Sequence, residues 1–163
     1  MLRLELLADH HLDALLALEL LADQVPFTTL PAELLERARG DAHLLPVVIT
    51  EGGAAIGLFA LATGPHRDKY LPQPDPDAVA LSSLSLDERV QGRGLGTRAV
   101  QLVPDFVRQH LPHARRVILV VNRRNERAKR VYERAGFMVT ATREGRIGPQ
   151  WVMARPVRSA ESD

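Results

Sequence analysis

Asp87-Glu88-Arg89-Val90-Gln91-Gly92-Arg93-Gly94-Leu95-Gly96 joins two segments of different periodicity. Before it, Ala78 to Leu86 reads as a strand; after it, Val100, Val103 and Val107 recur at helical spacing. Backbone N–H groups at the start of a helix lack intrahelical partners and sit at the positive end of its dipole. A loop that turns them inward therefore forms an anion nest. Glycine at 92, 94 and 96 permits dihedrals closed to other residues and lets phosphate oxygens approach the main chain. A plain strand-to-helix connection needs one glycine, so three in five positions point to a phosphate ligand.

Two familiar phosphate loops do not fit. Gly94-x-Gly96-x-x-Ala99 resembles a dinucleotide fingerprint, but that fingerprint wants an acidic residue at the end of the next strand, which here ends at Asn122. A nucleoside triphosphate loop needs four residues between its glycines and then Lys-Ser/Thr, which this stretch lacks.

Outward toward the N-terminus, Leu2, Leu4 and Leu6 alternate with Arg3 and Glu5 as a half-exposed first strand. Asp9 offers an N-cap to a helix over about 10–22 carrying Leu12, Leu15, Leu16 and Leu20 on one stripe, broken by Pro26. Pro31 suits the first turn of a second helix, Ala32 to Arg39, closed by Gly40. Leu44 to Thr50 and Ala54 to Thr63 form a hairpin about Glu51-Gly52-Gly53. Residues 64–77 hold four of the eleven prolines and are expected to be a stiff loop without helix.

Toward the C-terminus, Pro104 should kink or shorten the helix after the glycine loop. Arg116 to Val121 is an apolar strand. Asn125 opens a helix with Ala128, Val131, Tyr132 and Ala135 on one face, and Gly136 closes it. Phe137 to Thr142 and Trp151 to Val157 are strands about Gly145-Arg146, and 158–163 is a frayed tail. The order β-α-α-β-β-β-α-β-α-β-β makes an α/β (α+β) chain with a mixed sheet of about seven strands and about four helices on both faces. Residues 1–157 are expected to form a single domain.

Composition narrows the function classes. The 163 residues are 45% apolar and contain no Cys, which excludes a disulfide scaffold, a thiolate metal site and a cysteine nucleophile and fits the cytoplasm. Charged and polar residues interrupt the first twenty, leaving neither a leader nor a membrane span there. The net charge of +1 conceals an asymmetry. Residues 1–87 carry 5 basic and 13 acidic side chains (−8), and residues 88–163 carry 16 and 7 (+9). The second half should meet an anion, unless the two halves simply attract each other. Arg115, Arg116, Arg123, Arg124, Arg127 and Arg130 have no aromatic platform beside them, and a pI of about 8.3 is low for a nucleic-acid binder. His10 and His11 match no metal spacing and read as exposed, so no metal is expected.

The strand, the glycine stretch, the amphipathic helix, the next strand and then Asn125-x-x-Ala128-x-x-x-Tyr132-x-x-x-Gly136-Phe137 together resemble the GCN5-related N-acetyltransferase (GNAT) superfamily, closely over residues 78–140 and in element order throughout. The resemblance implies the GNAT fold and acetyl-CoA as cosubstrate. Its pyrophosphate would lie on the amides of Gln91, Gly92, Arg93, Gly94, Leu95, Gly96 and Thr97. Its pantetheine arm would run beside Leu84, Ser85 and Leu86, where this strand splays from Val117 to Val121, with Asn125, Ala128 and Tyr132 as further contacts. Tyr132 falls where the family places a phenol facing the coenzyme sulfur as general acid.

The attacking amine must be neutral. For an alkylamine of pKa about 10.4 this costs ~4.6 kcal/mol at pH 7, against ~1 for an α-amine. Many relatives carry a Glu on the strand before the glycine loop as base. Here the strand reads Ala80-Leu81-Ser82-Ser83-Leu84-Ser85-Leu86, and Ser83, with Ser85 expected on its face, is the candidate for holding a relay water. His66, Asp68 and Tyr70 join the site only if the proline-rich loop folds over it. Trp151 reads as core, or as a wall of the acceptor pocket. The loop at 64–77, the stretch Asp87 to Gly94 and the Gln24-Val25-Pro26-Phe27 segment loosely resemble the branch of small-amine and polyamine acetyltransferases, so the implied reaction is direct transfer of acetyl to a primary amine of a small molecule such as a polyamine, matched by the acidic first half, with a homodimer left open. Transfer to a protein N-terminus or lysine, or acyl-CoA sensing without turnover, are the alternatives.

Overall fold

Seven apolar runs pair into one mixed sheet in the computed structural model, which describes residues 1–158. The strands are β1 (Leu2–Leu6), β2 (Leu44–Glu51), β3 (Ala54–Ala62), β4 (Ala78–Leu86), β5 (Arg116–Asn122), β6 (Met138–Gly145) and β7 (Gly148–Pro156). They lie in the order β1-β2-β3-β4-β5-β7-β6, and only β4 and β5 are parallel. The last hairpin is longer than expected because pairing runs down to Gly145 and Gly148. Of the tail, Ser159 to Asp163 lie outside the described residues.

Helices cover both faces, as the alternation requires. The described residues hold six α-helical segments in place of about four: α1 (Leu12–Leu16), α2 (Pro31–Ala38), α3 (Gly64–Asp68), α4 (Leu95–Gln101), α5 (Val103–His110) and α6 (Glu126–Arg134). Val79, Leu81, Val117 and Leu119 face α4, α5 and α6 through Val100, Val103, Val107 and Tyr132. On the other face Val48, Leu58 and Ala60 pack on Leu15 of α1 and Leu34 of α2. Burying a Leu here removes its side chain from water, a stabilisation of roughly 1.5–3 kcal/mol each.

Expectations for two segments are corrected. The first helix does not run over 10–22: a 3₁₀ turn, Asp9–His11, leads into α1, which stops at Leu16. Asp9 opens the turn and does not cap it, the cap position being Ala8. The Glu19 carbonyl accepts the Glu88 N–H at 2.6 Å, so this segment is tied to the glycine loop and not to its own next turn. Second, residues 64–77 do contain a helix. Pro65 stands in the first turn of α3, where its missing N–H costs nothing. As expected, the helix after the glycine loop is left short: α4 ends at Gln101, the chain breaks at Leu102, and Pro104 stands in the first turn of α5.

Candidate active site

β4 and β5 pair at Ala78 with Arg116, Val79 with Val117 and Ala80 with Ile118, and no farther. Beyond Ala80 the parallel strands part, and the edge of β4 facing β5 has no strand partner. A β-bulge drives the divergence. The register against β3 slips between Leu58 and Ala60, so Ser83 and Leu84 together oppose one residue, and Ser83 sits at φ +60°. A positive φ on a non-glycine residue costs of order 1–3 kcal/mol and persists where the surroundings impose it.

The bulge also resets which side chains share a face. Ser82 pairs with Ala60 and Ser85 with Leu58, on the α1 side, while Leu84 and Leu86 pack toward α4 and α6. The expectation that Ser83 and Ser85 share a face by simple alternation is therefore corrected. Ser85 is buried and its hydroxyl has no hydrogen-bond partner. The carbonyls of Leu84 and Leu86 receive side-chain donors in place of a strand: Thr28 Oγ1 donates to Leu84 at 3.1 Å, and Gln91 Nε2 to Leu86 at 3.3 Å.

A cleft of about 280 Å³ opens in this gap. Ser83, Leu84, Ser85, Leu86, Gln91, Gly96, Asn125, Ala128 and Tyr132 line it, so nine of the residues singled out from the sequence converge. Gly92, Arg93, Gly94, Leu95 and Thr97 do not line it and instead build the loop at its end. Gly92 (φ +81°) and Gly94 (φ +72°) need glycine for the dihedral alone, since an added Cβ at either would meet nothing within 4 Å. Leu95 is a core side chain, and the Arg93 guanidinium turns away to Glu51 at 2.9–3.0 Å. These two can offer the site only main-chain groups. Asp87 anchors the loop's entry by accepting the Arg89 N–H and guanidinium, whose proximity holds its carboxyl below the usual range.

Tyr132 comes from the inner face of α6, whose first turn is capped by Asn125 Oδ1 accepting the Ala128 N–H at 3.3 Å. Its ring packs edge-on to Phe137, and burial pushes its phenol pKa well above the ordinary value, so it stays protonated. A protonated phenol on a cleft wall can donate a hydrogen bond or a proton.

The opposite wall is made by residues of which the sequence singles out only Gln24, Pro26 and Phe27. Gln24, Thr28 and Thr29 come from the irregular segment after α1, while Ile147 and Gln150 come from the last hairpin. No local motif marks the others, because only the parting of β4 and β5 brings them together. Of the proline-rich loop, Tyr70 alone reaches the cleft. His66 bonds Asp41 at 2.7 Å and Asp68 bonds Arg67 at 2.8 Å. Trp151 stands outside, half-buried beneath Arg123 at 4.2 Å.

His11, expected to be exposed, is 2% exposed. Its Nδ1 accepts the Ala8 N–H, which leaves the proton of the neutral ring on Nε2, 3.4 Å from Glu5. The Glu5, His10 and His11 side chains lie close enough to share an ion, but in this tautomer neither His11 nitrogen has a free lone pair to give one. Among the described residues no helix is long and apolar enough to cross a membrane.

The model of the Acetyltransferase (GNAT) family matches residues 12–137. "Uncharacterized N-acetyltransferase YbbJ" of Bacillus subtilis (strain 168) is 38% identical over 142 residues, 85% of each chain. Among solved structures, aminoglycoside acetyltransferase AAC(6')-Ib in complex with coenzyme A and kanamycin is similar with a TM-score of 0.77 at 22% identity, over 96% of this chain and 95% of that one. The ribosomal-protein-S18-alanine N-acetyltransferase from Escherichia coli gives 0.66 at 19%, over 98% and 96%. The last two likenesses concern the fold. This chain belongs to the GNAT acetyltransferase family and is an N-acetyltransferase with acetyl-CoA as its cosubstrate.

Proposed function

We propose that residues 1–157 act as one domain that moves the acetyl group of acetyl-CoA directly to a primary amine of a small molecule. The observation that carries this reading is the gap between β4 and β5, with the glycine loop at one end and Tyr132 in its wall. The residues present suit the cosubstrate. A pantetheine arm is peptide-like and can pair with the strandless edge at Leu84 and Leu86, and a pyrophosphate can take the amides of residues 92–97, the Gln91 N–H expected with them being bonded instead to the Glu88 carbonyl at 3.1 Å.

The cosubstrate supplies an activated acyl carbon and a thiolate leaving group. Tyr132 keeps its proton and faces the cleft as the acid for that sulfur, an aid of up to ~10²–10⁴. Desolvation that raises the phenol would raise a thiol in the same cleft, so the two move in the same direction. Ser83, displaced onto the bulge, holds a water that takes the proton leaving the amine. A chain without Cys has no thiol to carry an acetyl-cysteine, which favours direct transfer.

A small acceptor is favoured over a protein because residues 24–29, Tyr70 and Ile147 wall a cleft of only about 280 Å³ that must also hold the donor arm. The aminoglycoside enzyme with kanamycin in its structure supports the same choice by analogy of fold. Pairing of a second copy through the exposed edge strand β6, where Met138 is 72% exposed, and a cytoplasmic location complete the reading. Size-exclusion chromatography tests the dimer.

Acetyl-CoA at a hundred times its Kd should stabilise the chain by about 2.7 kcal/mol, seen as a raised Tm. No shift at millimolar ligand overturns the donor site.

A further inference from the structure

Resting on that reading, the lining of the cleft bears on which amine it accepts. Its polar wall away from the glycine loop is hydroxyl and carboxamide: Gln24, Thr28, Thr29, Ser82 and Gln150, with apolar faces from Leu20, Phe27 and Ile147. Among the described residues, the one charged side chain on the whole lining is the guanidinium of Arg127. No carboxylate lies on the lining itself; of the acids on bordering segments, Asp23 pairs with the cleft's own Arg127 at 3.8 Å, Asp68 with Arg67 at 2.8 Å and Asp87 with Arg89 at 2.6 Å.

A polyamine or aminoglycoside keeps further ammonium groups after one amine is engaged. In this cleft they would lose water and find no carboxylate on the lining, the nearby Asp23 being already paired with Arg127. An amine with no protein carboxylate to deprotonate it must also arrive largely as free base. An α-amino group next to a carbonyl holds roughly 300-fold more free base at neutral pH than an alkylamine. Hydroxyl and carboxamide groups complement an amide on both its donor and its acceptor side.

We infer that the acceptor is a compact α-amino amide, with one amine and no second positive charge. The polyamine expected from the acidic first half is thereby replaced. Thiol release from acetyl-CoA by the full chain, with glycinamide and leucinamide in one arm and spermidine and kanamycin in the other, tests it. The amides should show kcat/KM at least about 10-fold above the polycations at pH 7.5. Thr29→Asp, on an irregular segment, should shift that ratio toward spermidine by about 10-fold while the Tm rise on acetyl-CoA is retained. Polycations turned over as well as the amides, turnover of neither arm, or a ratio unmoved by Thr29→Asp overturns the inference. If the wild-type Tm still rises with acetyl-CoA, only the acceptor class falls; if it does not, the donor reading falls with it.

Discussion

Tyr132 joins burial, protonation state and proposed chemistry in one side chain. The residue lines the cleft and its hydroxyl makes no protein hydrogen bond among the described residues, so Tyr132→Phe removes a donor while leaving the packing against Phe137. The variant should lose turnover by up to ~10²-fold or more with the acetyl-CoA Tm shift unchanged, and steady-state kinetics beside thermal melts separate the two. The buried phenol also makes stability depend on alkaline pH. Its folded pKa lies above the unfolded value of about 10, so its contribution is complete below pH ~10 and is lost as pH rises toward the folded value. Tyr132→Phe should therefore flatten the alkaline fall of Tm. The sequence placed this residue through the Asn125 to Phe137 pattern; its desolvation depends on neighbours distant in the chain.

The glycine loop is a local element whose geometry follows from its residues. Gly94 stands in the left-handed region with open space around it, so Gly94→Ala should cost about 1–2 kcal/mol through backbone strain alone, read by urea unfolding. Gly94→Asp adds a carboxylate where we propose the pyrophosphate binds and should abolish the acetyl-CoA Tm shift. Asp87 fixes the loop's entry, and its sign with pH is opposite to that of Tyr132. Arg89 depresses its folded pKa, so its stabilisation is present above about pH 4 and disappears as pH falls through the lower folded value. Asp87→Asn should weaken acetyl-CoA binding and flatten the acid side of the Tm profile. Element boundaries were less legible than this loop. The helix expected over 10–22 failed because Glu88 claims the Glu19 carbonyl, a contact no helical periodicity reveals.

Across the whole molecule, the split of charge between the halves has a structural outcome. Acids of the first half pair with arginines of the second at Glu51 and Arg93, Asp75 and Arg116, Asp23 and Arg127, and Asp87 and Arg89. Except at the buried Asp87 carboxylate, these pairs are partly or largely solvated, worth about 0–1 kcal/mol each, so 0.5 M NaCl should lower Tm by only a few degrees. The sheet's two apolar faces contribute far more. Leu58→Ala, beneath α1, should cost roughly 2–5 kcal/mol, measurable by urea unfolding. The acidic first half thus meets the basic second half and does not furnish the cleft with carboxylates.

The sequence by itself determined the strand and helix alternation, the glycine turn between β4 and α4 and the tyrosine on α6, because each is a short-range pattern of apolar period, glycine and cap. Tertiary structure alone decided where β4 and β5 part, which face Ser83 and Ser85 take after the bulge, and which uncharged side chains wall the acceptor end. Those features arise from register and packing between segments tens of residues apart, and a one-residue slip in register reverses the faces that local alternation assigns.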